Sequence, residues 1–459
     1  MNTPHSPTNI ALPPTEIILT HRRMLALAVP MMLSHITVPL LGLVDTVVIG
    51  RLGDAALLGG VALGSVVFDL LLWTFGSLRM TTIGLTAQAT GARDSVEAER
   101  VLARAMVLGL AIGLAMVALQ QPIGSLARQL AGASPEVTAA LTDYFNVRIW
   151  SAPATLLNYV LLGALLGRGR SDLGLVLQIA INLSNAGLSI LFVAGFGWAV
   201  AGAALGTVLA EVLGVILGFA LLVRLGVSLR RIGERASYAR AAILAALASN
   251  RDVAIRNLCL LMVFVLFSRT GAKNGDVALA ANAILQNLWL FGSYILDGFA
   301  TAAETLCGMA LGARQPRAFR RAVRLSLGWS LGAGLFLSAL TLFGGGAFIA
   351  FATPNEVVRH AALVLLPFAA LMPLVGATAF AYDGIFIGGG WGSAMRNQML
   401  IASTGFLTML WLLSSYGNAG LWLAMLAFMA LRGVLQAAMY PALAARSFGP
   451  GDLVSRPSR

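Results

Sequence analysis

The chain has 459 residues, 58% of them apolar and only 11% charged, with a mean hydropathy of +0.84 and a formal net charge of +12. A soluble domain carries about a quarter charged residues, so the composition excludes one and describes a polytopic membrane protein. The basic excess does not point to nucleic acid, because the arginines are sorted by position along the chain instead of pooled on one segment.

The opening stretch MNTPHSPTNIALPPTE is polar and Pro-rich, and residues 1–22 read as a short disordered tail, not as a cleavable signal. Apolar runs of about 20 residues, the length that crosses a ~30 Å hydrocarbon core, then recur. They lie near 24–48, 56–88, 101–121, 137–166, 173–194, 198–223, 253–272, 278–310, 322–351, 358–387, 396–416 and 419–445. Several are longer than a straight crossing needs, which predicts tilted or bent helices. Pro30, Pro39, Pro153, Pro367 and Pro373 fall inside spans and mark the expected bends. Residues 23–223 form an N-lobe of six spans, 224–252 a polar loop between lobes, 253–446 a C-lobe of six spans and 447–459 a tail.

Arginines fix the expected orientation. With the N-terminus inside, the inner segments hold Arg22, Arg23, Arg93, Arg100, Arg104, Arg168 and Arg170, then six arginines of the central loop. They continue with Arg314, Arg317, Arg320, Arg321, Arg324, Arg396 and Arg446, whereas the outer loops keep Arg51, Arg128, Lys273 and Arg359. Both termini are therefore expected in the cytoplasm of an inner (plasma) membrane, with anionic lipid as the natural partner of the basic charge.

The sequence also repeats. GLTAQATGARD (84–94) matches TLCGMALGARQ (305–315) at an offset of 221, ASPEV matches ATPNEV, and LLGRGRS matches FIGGGWG. An even number of spans in each half makes the halves parallel repeats, related by a pseudo-two-fold axis along the membrane normal. That is an architecture of secondary transporters.

Chemistry in lipid falls to the acids at Asp45, Asp69, Asp143, Glu211, Asp297, Glu304 and Asp383. Asp45 stands in LLGLVDTVVIG of span one. On span five, Asn182, Asn185 and Ser189 share one helical face, and span six adds Thr207. A carboxylate with such neighbours can take and release a proton. Asp297 and Glu304 lie two turns apart on span eight, Asp383 on span ten, and Arg256 at the start of span seven is a neutralising partner for one of them. Trp289 and Tyr294, with Asn182 and Arg256, are candidates to line a substrate cavity.

GWSLG (328–332) satisfies the G-x-S-x-G pattern, yet it lies in an apolar helix with no strand before it, and no histidine bears a motif relationship to Ser330. No HExxH or Walker A pattern occurs. Cys259 and Cys307 sit in apolar runs and read as packing residues, so neither cofactor nor metal is expected, and energy must come from an ion gradient.

VPMMLSHITVPLLGLVDTVVIGRLG followed by LRMTTIGLTAQATGARD, with LDGFATAAETLCG and YDGIFIGGG in the second half, closely resembles the MATE (multidrug and toxic compound extrusion) transporters, in particular their DinF-like branch. The resemblance spans residues 20–445. It implies a V-shaped pair of six-helix lobes that exports amphipathic, often cationic organic compounds as a monomer in exchange for protons or sodium. The family's N-lobe cation site maps to Asp45, Asn185 and Thr207, while Ser189 stands where the pattern has a second aspartate. One carboxylate instead of two favours protons over a Na⁺ site at Asp45, Asn185 and Thr207. The competing readings are a lipid-linked precursor flippase of the same superfamily, which needs a strongly cationic cavity, and an intramembrane hydrolase acting through Ser330.

Overall fold

The computed structural model describes residues 17–448; on the first helix, the side chains of 38–43 and of Asp45 lie outside the described ones, as do most of the two expected tails. In a bilayer core each backbone N–H and C=O must be satisfied within its own segment. Accordingly every regular element among the described residues is helical.

The first lobe comprises α1 (His21–Gly50), α2 (Ala55–Thr74), α3 (Ser77–Gly91), α4 (Ser95–Ala118), α5 (Gln120–Ala131), α6 (Pro135–Arg148), α7 (Ala152–Gly167), α8 (Ser171–Ile190) and α9 (Ala199–Arg224). The second comprises α10 (Arg240–Lys273), α11 (Asp276–Gly312), α12 (Pro316–Ala352), α13 (Glu356–Gly388), α14 (Gly392–Leu412) and α15 (Gly417–Phe448). Among the described residues, ten helices are long and apolar enough to cross a membrane, counting α2 with α3 and α6 with α7 as single bent spans. With α1 and α14 they make the twelve-helix, two-lobe layout.

Short polar side chains set the starts. Asp54 accepts from the N–H groups of Ala56 and Leu57 at 2.8 and 3.3 Å, Asp94 from Glu97 at 2.8 Å, and Asn355 from Val357 and Val358 at 3.0 and 3.2 Å. Each satisfies backbone donors that a helix start leaves open.

The span expected at 56–88 breaks, without a proline, at Phe75–Gly76, whereas that at 137–166 breaks at a 3₁₀ turn, Ile149–Ser151, beside Pro153, where a bend is expected. Pro367 and Pro373, by contrast, stay within the continuous α13. Helix α10 begins at Arg240, well inside the expected loop, which is reduced to two 3₁₀ turns, Leu229–Gly233 and Arg235–Tyr238. At the N-terminus, the stretch expected as tail is docked from residue 17 onward: Ile17 N–H donates to Gln315 Oε1 at 2.8 Å, and Leu19 is buried.

The 221-residue offset is carried into backbone geometry. Arg93 and Arg314 both close their helices in the left-handed region, at φ 58° and 53°. The N–H groups after them bond back to matching carbonyls, Asp94 to Ala89 at 2.9 Å and Gln315 to Ala310 at 3.0 Å, which is a Schellman closure in each lobe. Across the lobe interface, a methyl group added to Gly91 would overlap the carbonyl of Met309, and one added to Gly312 that of Gln88. Gly308 meets Ala87, its own repeat partner, so the pseudo-axis passes between them. Small residues let the helices approach backbone to backbone there.

Hydrogen bonds join the lobes between this face, where the described chain begins and ends, and the middle of the spans. Gln88 Nε2 donates to the Gly388 carbonyl at 2.9 Å, Thr305 Oγ1 to that of Leu166 at 3.1 Å, and Thr81 Oγ1 to Asn250 Oδ1 at 2.9 Å. The apolar core has the same plan. One cluster fills the first lobe around Phe68, Phe145 and Leu161, and another the second around Phe267, Trp422 and Phe428. A third spans the seam, with Met24 and Ala28 of α1 against Phe299, Leu306 and Phe386.

Candidate functional site

Helix α8 presents the polar face read from its spacing. Asn185 and Ser189 are 1% and 0% exposed, and Thr207 on α9 is 5% exposed. Asn185 Nδ2 donates to Thr207 Oγ1 at 2.7 Å, and Thr207 Oγ1 donates to the Ala203 carbonyl at 3.2 Å. Among the described residues, Asn185 Oδ1 and Ser189 Oγ have no hydrogen-bond partner. Two buried oxygens one turn apart on α8 can therefore take a further hydrogen bond. A methyl at Gly206 would lie 3.0 Å from Ser189 Oγ, so α8 and α9 are in close contact at that point.

Asn182 ties this face to α1, donating from Nδ2 to Thr37 Oγ1 at 2.8 Å. Asp45 follows Thr37 by eight residues, about 12 Å of helix, and Ser189 follows Asn182 by seven, about 10 Å. Spans one and five cross in the same sense, so the backbone of Asp45 is level with Ser189. The Asp45 side chain itself lies outside the described residues.

The C-lobe acids separate into two situations. Asp383 is 4% exposed and fully engaged: Arg256 and Arg432 both pair with its Oδ2, the latter at 2.6 Å, and Gln436 Nε2 donates to its Oδ1 at 2.6 Å. Arg256 therefore neutralises one of the three acids, as the sequence suggested. Arg432 and Gln436 were not assigned to it, because a partner 49 residues away leaves no periodic trace. Arg256 also donates to Asn257 Oδ1 at 3.0 Å and is 8% exposed, so it stands inside the lobe, not on a cavity wall. Trp289, 6% exposed and set edge-on against Phe380, is likewise part of the C-lobe core.

Glu304 is 3% exposed and its Oε2 has no partner among the described residues, and Asp297, two turns before it, is partly buried. Both lie within electrostatic range of Arg79 on α3. Tyr294 stacks on His35 of α1 across the lobe interface, with ring centres 6.3 Å apart and planes 9° from parallel. Tyr294 is thus at the interlobe cleft. His35 and Arg79 complete this central group, and neither carried a sequence signal beyond being polar in a span. Ser330 is fully buried in α12 with its hydroxyl unpartnered.

Two lobes in sequence repeat, joined along one face, with polar groups at matching depth, define a transporter architecture. The MatE family model matches residues 30–191 and 253–413, one block in each lobe. The chain belongs to the MATE family. Among relatives of this MATE protein, the DNA damage-inducible protein F of Escherichia coli (strain K12) is 39% identical over 416 residues, which is 90% of either chain. Two solved structures share the fold. A MOP superfamily transporter from Pyrococcus furiosus superposes with a TM-score of 0.83 at 20% identity, covering 93% of this chain and 96% of that one. A MATE transporter in its bent conformation gives 0.84 at 19% identity with the same coverage. As a MATE member this protein is a multi-pass membrane transporter and not an enzyme, and in GWSLG only Ser330 is buried while Gly328 and Gly332 are exposed.

Proposed function

We propose that this protein is an efflux antiporter of the inner membrane that exports amphipathic, often cationic organic compounds in exchange for protons, coupling through Asp45. The observation that carries the reading is the buried Asn185–Thr207 hydrogen bond, one turn of α8 from Ser189 at the level of Asp45, with Asn185 Oδ1 and Ser189 Oγ unpartnered among the described residues. A protonated carboxyl donates one hydrogen bond and a carboxylate only accepts. A neighbourhood of amide and hydroxyl groups can serve both states.

The ligand set favours protons over sodium. Asn185, Thr207 and Ser189 contribute neutral oxygens alone, so Asp45 would be the single charge in a site for a hard cation. The charge balance of the core favours an organic cation over a lipid pyrophosphate. Arg79, Arg256 and Arg432 are matched in number by Asp297, Glu304 and Asp383, which leaves none of the cationic excess a pyrophosphate needs. With both termini cytoplasmic, the joined face is the inner one and the cleft opens outward. Protonating Asp45 then rearranges its hydrogen bonds with the α8 face and bends α1 at its prolines, releasing cargo.

The test uses proteoliposomes with an imposed pH gradient, comparing wild type with Asp45→Asn for transport of a fluorescent organic cation, and a sodium gradient at fixed pH in parallel. Wild type should respond to protons and Asp45→Asn should not. Normal gradient-driven transport by Asp45→Asn would make Asp45 structural and move coupling to Glu304 or Asp297.

A further inference from the structure

The N-lobe holds a second carboxylate with an unusual set of neighbours. Glu211 follows Thr207 by one turn of α9, so the two share a face of that helix. Its Oε2 accepts a 2.7 Å hydrogen bond from Asn158 Nδ2 on α7, and the same amide nitrogen donates to the Glu211 carbonyl at 2.8 Å. One turn before Asn158 stands Thr155, 4% exposed, its Oγ1 facing the Glu211 carboxylate. Asn158 is 5% exposed, and among the described residues neither Thr155 Oγ1 nor Asn158 Oδ1 has a formed hydrogen bond. Two orphan oxygens thus belong to the residues that hold this carboxylate.

Among the described ion pairs, none includes Glu211. Arg148 on α6 lies within electrostatic range, but its guanidinium is engaged by Ser151 and sits 5.1 Å above the Phe68 ring. Tyr159 on α7 feels Glu211 together with Asp69 of α2 and Arg79 of α3. Helix α8, packed against the same helix, brings amides and hydroxyls to this stretch, and its ionisable residue, Asp172, is at its far end. On α1 the ionisable groups are His21, Arg22 and Arg23 at its start, His35, which lies across at Tyr294, and Asp45.

The second lobe offers a contrast: there Arg432 is locked to Asp383, whereas this carboxylate of the first lobe is held by neutral groups. A carboxylate served by an amide and a hydroxyl tolerates both protonation states. Ionised, it accepts from Asn158 and Thr155; protonated, it donates to one of the orphan oxygens. Ser189 and Asn185 lie one turn apart on α8 and Thr207 and Glu211 one turn apart on α9, and hydrogen bonds join Asn185 to Thr207 and Asn158 of α7 to Glu211.

We propose that Glu211 is a second proton-binding carboxylate of the N-lobe, linked to the Asn185 constellation through Thr207. The step is one proton adding to a carboxylate oxygen and leaving it again, with no other bond made or broken. The inference rests on the proton-exchange reading above.

Wild type, Glu211→Gln and Glu211→Asp are reconstituted and compared for accumulation of a fluorescent organic cation under a fixed pH gradient. Their pH profiles are recorded without a gradient, and the carboxyl stretch is titrated by infrared spectroscopy. Glu211→Gln should lower gradient-driven accumulation by about tenfold, shift the pH profile and remove one titrating carboxyl component, while Glu211→Asp restores part of each. Wild-type accumulation, profile and infrared titration in Glu211→Gln would overturn the inference while leaving exchange through Asp45 intact. A wild type indifferent to the pH gradient overturns the exchange reading and this inference together. Should Glu211→Gln fail to fold, Asn158→Ala, which keeps the carboxylate but removes its amide, decides by the same pH profile: a shift supports the role and an unmoved profile refutes it.

Discussion

Gly91 and Gly312, 221 positions apart, lie each against a backbone carbonyl of the opposite lobe, Gly91 on Met309 and Gly312 on Gln88. The two contacts are one contact seen twice about the pseudo-axis, and together they close the face where the described chain begins and ends. Any side chain at either position needs the lobes to part.

Gly312→Val should therefore hold the lobes apart at that face. Spin labels placed on α3 and α11 near the seam should report a longer separation in the variant, and export should fall by at least about tenfold. An unchanged distance distribution would mean that the seam tolerates a side chain and is not what closes the face.

Thr207→Val leaves the Asn185 amide without its acceptor in a buried site, a loss of about 1–3 kcal/mol. The expected outcome is a lower thermal midpoint together with impaired proton-driven transport, whereas Thr207→Ser keeps the 2.7 Å bond and stays close to wild type. Equal behaviour of the Val and Ser variants would show that the hydroxyl is dispensable.

Ser189→Asp adds a second carboxylate level with Asp45. A sodium gradient at fixed pH should then drive transport in the variant and not in wild type, because a hard cation gains a charged oxygen ligand. Sodium-driven transport in wild type would count against the proton reading from the outset.

Arg432→Met removes one of the two cations from Asp383, whose carboxylate keeps only Arg256 as a charged partner beside the Gln436 amide. Breaking a buried pair costs about 3–5 kcal/mol, so detergent-solubilised variant protein should unfold at a clearly lower temperature than wild type. A midpoint matching wild type would mean Arg256 alone satisfies the carboxylate.

The sequence carried the fold because its signals are local. Apolar runs mark spans, GARD and GARQ end two helices with the same left-handed arginine, and Asp54, Asp94 and Asn355 cap helix starts. The Asn185–Thr207 pair was legible for a related reason, since Asn182, Asn185 and Ser189 reveal one face of a helix whose neighbour follows directly in sequence. Distant pairings were not. That Arg432 and Gln436 choose Asp383 depends on how α13 and α15 are rotated about their axes, which no spacing encodes. The amphipathic α5, QQPIGSLARQLA, was absorbed into the third span and the loop after it because its polar face hides a short helix from a hydropathy scan. The break at Phe75–Gly76 left no proline to announce it.

The clamp of Asp383 between Arg256 and Arg432 also ties α10, α13 and α15 to one another near the centre of their lobe. Pulling any of the three away would strand a charge in a dry interior, so they travel as one piece. In the first lobe, Glu211 is fastened by neutral groups. On the proposed proton-exchange reading, the duplicated scaffold divides its labour: one copy is stiffened by charge it never releases, and the other keeps its charge loose.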